Sequence, residues 1–315
     1  MASSAKITEE ARVAVPATAA LPPEPIRLSA LDAEWLALPL IQRVLIFVDG
    51  ASDIPPFESV VAALRASLAE SIERFPPLAG RIVHLPTTGD VAIDCADGGV
   101  RFLVAEASDV DAARLAQVTR LRGGVALGVA RSSPGACCGR AHEAGHPGRT
   151  FTVPAQQLHR LKQRIAERSR PPTAAPSSFV AVVALAWASF VRAKHAAGLI
   201  SPDDEVYLFF FAGCRARLDP PPGDTYFGTC ISGAGPPRRR RRLDRLVNVP
   251  GSTRFPAYEA TDFGWGSPDR TELVTMNHDG QVVLVAGKGG VVQASVSLHP
   301  AHMDAYKSHF LSYLD

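Results

Sequence analysis

The sequence predicts an α/β protein with mixed sheets and flanking helices. Long stretches repeat apolar residues at helical spacing. Shorter runs rich in β-branched and aromatic residues lie between them, and Gly, Pro and Asp punctuate the two kinds of segment. Strands and helices follow one another without the strict alternation of a βαβ protein. The 315 residues suffice for two domains of ordinary size or one large one. A hydrophobic content of 46% with 20% charged residues suits a chain that buries a core.

Residues 1–25, rich in Ala and Pro, read as a disordered arm. In "LSALDAEW", Ser29 precedes Asp32 by three positions, an N-cap pattern. "RVLIFVD", from Arg43, is a short β-rich run. Apolar residues then fall at Phe57, Val60, Val61, Leu64, Leu68, Ile72 and Phe75, one face of an amphipathic helix. Strand candidates follow in "GRIVHL", "VAIDC", "VRFLVAEA" and "GVALGVA". In the last, Val125, Leu127 and Val129 alternate with small residues, which lets other chain approach closely.

The pattern restarts after residue 150. Pro154 begins a helix with Leu158, Leu161 and Ile165 as its apolar stripe. "SFVAVVALAWASFVRAKHAAG" is apolar nearly all round, as a core helix is. "VYLFFFAG" reads as a buried strand. "TELVTMNHDGQVVLVAG" reads as a hairpin around Asp279-Gly280. The last helix places Met303, Tyr306, Phe310 and Leu314 on one face.

Composition narrows the function. A net charge of +2 argues against nucleic acid or an anionic membrane surface as partner. Five scattered cysteines point to a reducing, cytoplasmic setting without a disulfide framework. Glu9 and Glu10 interrupt the N-terminal stretch, which lacks the apolar run of a secretory signal. The longest uncharged apolar run, Phe179 to Val191, is too short for a bilayer.

His142-Glu143-Ala144-Gly145-His146 fits the H-E-x-x-H zinc-protease pattern. That site needs both histidines one turn apart on a continuous helix. Here Gly145 separates them, Pro147 and Gly148 follow, and Pro134, Gly135 and Gly139 precede. Cys137-Cys138 lacks the spacing of a structural zinc site. The expectation is no metal, and the Arg238–Arg242 run reads as a solvated loop.

"TDFGWGSPDRTEL" contains Asp262-Phe263-Gly264-Trp265-Gly266, which resembles the D-F-G-W-G motif of the plant BAHD acyl-CoA-dependent acyltransferases. "LSALDAEWLALPLIQRVLIF", "SLAESIERFPPLAGRI", "GCRARLDPPPGDTYFGTC" and "GKGGVVQASVSL" resemble other family segments in the family's order. Tyr226-Phe227-Gly228-Thr229-Cys230 is similar to the Y-F-G-N-C motif of the clade that malonylates anthocyanins and phenolic glucosides, with Thr229 for Asn. The resemblance implies a two-domain CoA-dependent acyltransferase fold, with a channel between two α/β domains. It implies an acyl-CoA co-substrate of the malonyl-CoA type, a phenolic acceptor, and no bound cofactor. A histidine of an H-x-x-x-D motif would take the proton from the acceptor hydroxyl. An alcohol is a poor nucleophile near neutral pH, where imidazole titrates. The D-F-G-W-G loop would be structural.

The sequence departs from that pattern at its centre. The strand-like "GGVALGVA" would lead into H-x-x-x-D, yet no histidine in the chain has Asp four residues later. The expected fold is therefore incomplete: an N-terminal domain over 26–130, a non-family junction over 131–149, and a C-terminal domain over 150–315 with a deletion near 233–246. The chain reads as an acyltransferase relative without its catalytic histidine, or as a non-catalytic binding protein on the same scaffold. It is expected to be a monomer or to aggregate. Dialysed protein should hold no stoichiometric zinc by elemental analysis. One equivalent lost on His142→Ala or His146→Ala would overturn this.

Overall fold

The structure is a computed structural model that describes residues 6–37, 43–48, 54–107, 148–170, 174–235, 243–273 and 279–315. In the N-terminal half the elements are β1 (Lys6–Ala14), β2 (Ile26–Arg27), α1 (Ala30–Ala33), β3 (Arg43–Ile46), α2 (Phe57–Arg74), β4 (Arg81–His84), β5 (Val91–Asp94) and β6 (Gly99–Glu106). The C-terminal half has β7 (Gly148–Val153), α3 (Ala155–Arg168), α4 (Ser178–Ala196), β8 (Tyr207–Gly213), β9 (Ile231–Ala234) and β10 (Leu246–Val249). It ends with β11 (Arg270–Leu273), β12 (Gln281–Ala286), β13 (Val292–Ser297) and α5 (Pro300–Ser312). The class is α/β with mixed sheets and flanking helices, as expected.

A six-stranded sheet in the order β7-β13-β12-β10-β8-β9 organises the C-terminal half. β12 and β8 run parallel to β10, and the outer pairs are antiparallel. Alternate side chains leave a strand on opposite faces. Val282 and Leu284 of β12, with Val292, Ala294 and Val296 of β13, join the helical core. Every residue of β13 is buried, so both faces of the sheet are covered.

The helices cover one face through the stripes that the spacing predicts. Met303, Tyr306, Phe310 and Leu314 are all buried, and Phe310 lies 4.8 Å from Phe151, ring to ring. Leu158 and Leu161 of α3 are buried as well. The Ser177 hydroxyl accepts from the Val180 amide and caps α4. α4 is longer than the uncharged run within it. Among the described residues it alone has the length and apolarity of a membrane span, but half of that stretch is buried against the protein.

The N-terminal half has a much smaller core. Val13, Ile72 and Ala79 form its buried cluster, with Val15, Leu68, Val100 and Phe102 partly buried around them. The apolar stripe of α2 is mostly half-buried, and Phe57 at its start is 55% exposed. The three-stranded sheet β2-β5-β4 leaves Ile82 63% exposed.

Three expectations are corrected. Residues 6–14 are not a disordered arm. β1 pairs with β6 over its length, Glu10 binds Arg101 and Glu9 binds Arg65. Charged side chains that look like solvated tail find partners on β6 and on α2. Asp279-Gly280 is a turn, with Gly280 at φ +94°, but among the described residues β11 and β12 do not pair as the expected hairpin. β11 leaves the large sheet and pairs with β3, while β12 pairs with β13 and β10. Lastly, β8 is mostly half-buried, with Phe209 buried and Gly213 exposed. The "GVALGVA" strand, Cys137-Cys138, His142, His146 and Arg238–Arg242 lie outside the described residues.

Phe310→Ala should cost about 3–5 kcal/mol of unfolding free energy, because a fully buried ring leaves a cavity. Phe57→Ala should cost under about 0.5 kcal/mol, as exposed sites do. Urea unfolding midpoints of both variants test the contrast.

Candidate functional site

Two loops carry the family-like motifs, and each bridges the N- and C-terminal halves. The first is Asp262–Gly266. One Asp262 carboxylate oxygen accepts from the amides of Gly264 and Gly266, at 2.8 and 3.0 Å. Gly264 and Gly266 sit at φ +102° and +94°, a region that favours glycine. The turn stacks Phe263 on Trp265 at 5.8 Å, and both rings meet Phe47 edge-on at 6.3 and 6.4 Å. Trp265 is buried while Phe263 stays exposed. Phe47 directly follows β3, so the loop grips the N-terminal half.

Asp269 completes that grip. Its amide donates to the Ile46 carbonyl and its carboxylate accepts from the Val48 amide, both at 2.8 Å. Sequence reasoning missed Asp269. The only signal was a lone acid between the motif and a strand.

The second loop holds Tyr226, Phe227, Gly228 and Cys230. Arg215 donates to the carbonyls of Gly223 and Tyr226 and lies 5.7 Å from the Tyr226 ring. A Cβ at Gly228 would meet the Tyr226 hydroxyl at 2.3 Å, so a larger residue there would make the Tyr226 side chain shift. Phe227 stacks on Phe75 at the end of α2, with ring centroids 6.2 Å apart. The Thr229 amide donates to Asp32 at 2.8 Å. Cys230 is buried as a free thiol, and its carbonyl accepts from the Cys214 amide. Trp35 adds a further bridge, 5.0 Å from Phe211 of β8.

Asp32 therefore serves twice. It completes the capping box with Ser29 and anchors the second loop. Burial pushes its carboxyl up, but donors from Ser29 and Thr229 outweigh this and hold it below the usual carboxylate range.

Behind the motif loops, on the sheet face away from the helices, lies a buried polar layer. Thr150 donates to Glu272 at 2.8 Å and sits 3.0 Å from the Ser295 hydroxyl. Arg270 pairs with the other Glu272 oxygen. The Tyr258 hydroxyl donates to Gln293 at 2.6 Å, and Gln293 donates to the Thr271 carbonyl at 2.8 Å. Burial raises the Tyr258 phenol above its ordinary value.

No described histidine enters this region. His84 and His159 are exposed on β4 and α3, and His195 bonds the Ile200 carbonyl. His299 accepts from the Ala301 amide as the cap of α5. His302 and His309 lie along α5. Among the described residues no group of three His, Cys, Asp or Glu side chains is placed to hold a metal. Among the described residues, the motif side chains join the two halves as a scaffold.

The Asp32 linkage sets a pH dependence. A carboxyl held low in the folded state stabilises above its unfolded value, about 3.9, and that contribution fades as pH falls through the folded value. Asp32→Asn should be less stable than wild type at pH 7, with the difference shrinking below about pH 4. Denaturant midpoints across pH 3–7 would measure it. A difference that stays constant over that range would remove Asp32 from this role.

Residues 5–121 match the model of the Transferase family. Phenolic glucoside malonyltransferase 2 of Arabidopsis thaliana is 26% identical over 207 residues, covering 51% of this chain and 44% of that protein. Malonyl-CoA:anthocyanidin 5-O-glucoside-6''-O-malonyltransferase of the same plant is 25% identical over 210 residues, covering 51% and 45%. The chain thus spans about half the length of the curated relatives it matches. Vinorine synthase has the same fold, with a TM-score of 0.72 at 14% identity over 99% of each chain. TRI101 of F. sporotrichioides, solved with coenzyme A and T-2, superposes with a TM-score of 0.58 at 13% identity, over 90% of this chain and 97% of that one. The N-terminal part of the chain thus matches the Transferase family model, and the fold is that of the solved vinorine synthase and TRI101 structures.

Proposed function

We propose that this scaffold is that of an O-acyltransferase acting on an acyl-CoA of the malonyl-CoA type and a hydroxyl of a phenolic glucoside or flavonoid, and that the chain as written does not turn over. The supporting observation is a pairing of presence with absence. The loops at Asp262–Gly266 and Tyr226–Cys230 are built as closed bridges, yet no histidine of the sequence has Asp four residues on.

Transfer from a thioester to an alcohol needs a base at the hydroxyl as the C–O bond forms and the C–S bond breaks. It also needs donors for the oxyanion on the thioester carbon. Glu272 is occupied by Arg270 and Thr150 and is buried beneath the sheet. His299 uses Nδ1 as a helix cap. Neither is free to act as that base. A second reading, a non-catalytic binding protein on the same scaffold, draws on the same bridges.

A positioned base typically contributes about 10²–10⁴-fold. Malonyl-CoA turnover with phenolic glucosides should therefore fall about that far below an active relative assayed in parallel. Turnover equal to the relative's would overturn the inactive reading. Saturable acceptor binding without turnover would favour the binding protein.

A further inference from the structure

The helical face of the large sheet carries an open cavity of about 390 Å³ between α3, α4 and the end of α5. Leu161, Ile165 and Leu185 line it with hydrocarbon. Space remains because, beside Leu185, α4 presents there the small side chains of Ala184 and Ala188. Tyr313, just past α5, closes the third side. None of these residues belongs to the two motif loops.

The rim is positively charged. Arg164 and Arg168 stand one turn apart on α3, so both guanidinium groups reach the same side. Arg164 donates to the Tyr313 carbonyl, and Arg192 of α4 lies 5.0 Å from the Tyr313 ring. Among the described residues, none of these three arginines is ion-paired with a carboxylate. An apolar cavity of a few hundred Å³ with few convergent polar groups has the form of a small-molecule site. Its charge calls for an anion at the mouth, and guanidinium favours a planar carboxylate held by paired N–H donors. Its lining calls for an alkyl chain.

We propose that this cavity binds the free carboxylate of a fatty-acid-type chain. The head group sits on Arg168 and the unused donors of Arg164, and the tail runs over Leu161, Ile165 and Leu185. The site is separate from the acyl-transfer reading and does not depend on it.

The test uses the full chain and the fluorescent probe dansyl-undecanoate, displaced by octanoate, decanoate and dodecanoate. Affinity should rise about fourfold per added methylene until the cavity is full. Arg168→Ala should weaken decanoate about tenfold, because a charge-assisted hydrogen bond is lost, and leave decanol unchanged. Ala184→Phe, at an exposed position of α4, should fill the cavity and abolish probe binding with the urea midpoint unchanged. Absent probe binding, binding that survives Ala184→Phe, or equal loss of decanoate and decanol on Arg168→Ala would each overturn the proposal. Binding seen only with anionic phospholipid vesicles would also overturn it, and would make the face a membrane contact.

Discussion

The antiparallel pairing of β3 with β11 is the constraint on which the arrangement of the two halves depends. Arg43–Ile46 and Arg270–Leu273 are joined across more than two hundred residues of chain. Closing so long a loop costs entropy that only contacts formed afterwards can offset. The pairing therefore comes with reinforcement. Asp269 holds the backbone of Ile46 and Val48, and Phe47 enters the Phe263–Trp265 stack. Arg43 lies over Phe255 at 4.9 Å. A bridge of backbone bonds, a carboxylate and aromatic rings holds register better than apolar contact alone, because hydrogen bonds are directional.

The buried polar layer beneath β11 follows from the same constraint. β11 lies against a sheet face that carries Gln293 and Ser295, and it brings Arg270 and Glu272 with it. Burying charge without partners is costly, and a buried pair gains little over a hydrophobic isostere. What such a network supplies is registry. A slip of β11 by one residue would turn Glu272 and its neighbours to the other face and strand Thr150 and Arg270. The second loop repeats the logic at smaller scale, with Asp32 serving as both helix cap and anchor.

The two halves have cores of unequal size. The C-terminal half closes on a continuous cluster from Phe151 to Leu314. The N-terminal half leaves Phe57, Phe75, Leu78 and Ile82 open to water. Exposed apolar side chains are ordinary when scattered, but Phe75 and Phe227 meet as a half-exposed pair.

Much of this was legible in the residues because it is local. The Ser29–Asp32 capping box, the stripes of α3 and α5 and the strands β4, β5 and β6 depend on spacing within a turn or a pleat. The glycines of the D-F-G-W-G loop also announce themselves, since their backbone region is hard for other residues. The absence of H-x-x-x-D is likewise a property of the string of letters alone. Pairing is different. Lys6–Ala14 looks like a charged tail until Arg101 and Arg65 supply its counter-charges. "TEL" and "QVVLVA" look like one hairpin until β3 takes the first and β13 the second. The roles of Asp269 and Glu272, and the arginine rim of the α3–α4 cavity, exist only through neighbours distant in sequence. Periodicity records which face of an element is apolar. Which surface covers that face is decided by tertiary contact, because a strand edge or a lone charge gains its partner only when distant segments meet.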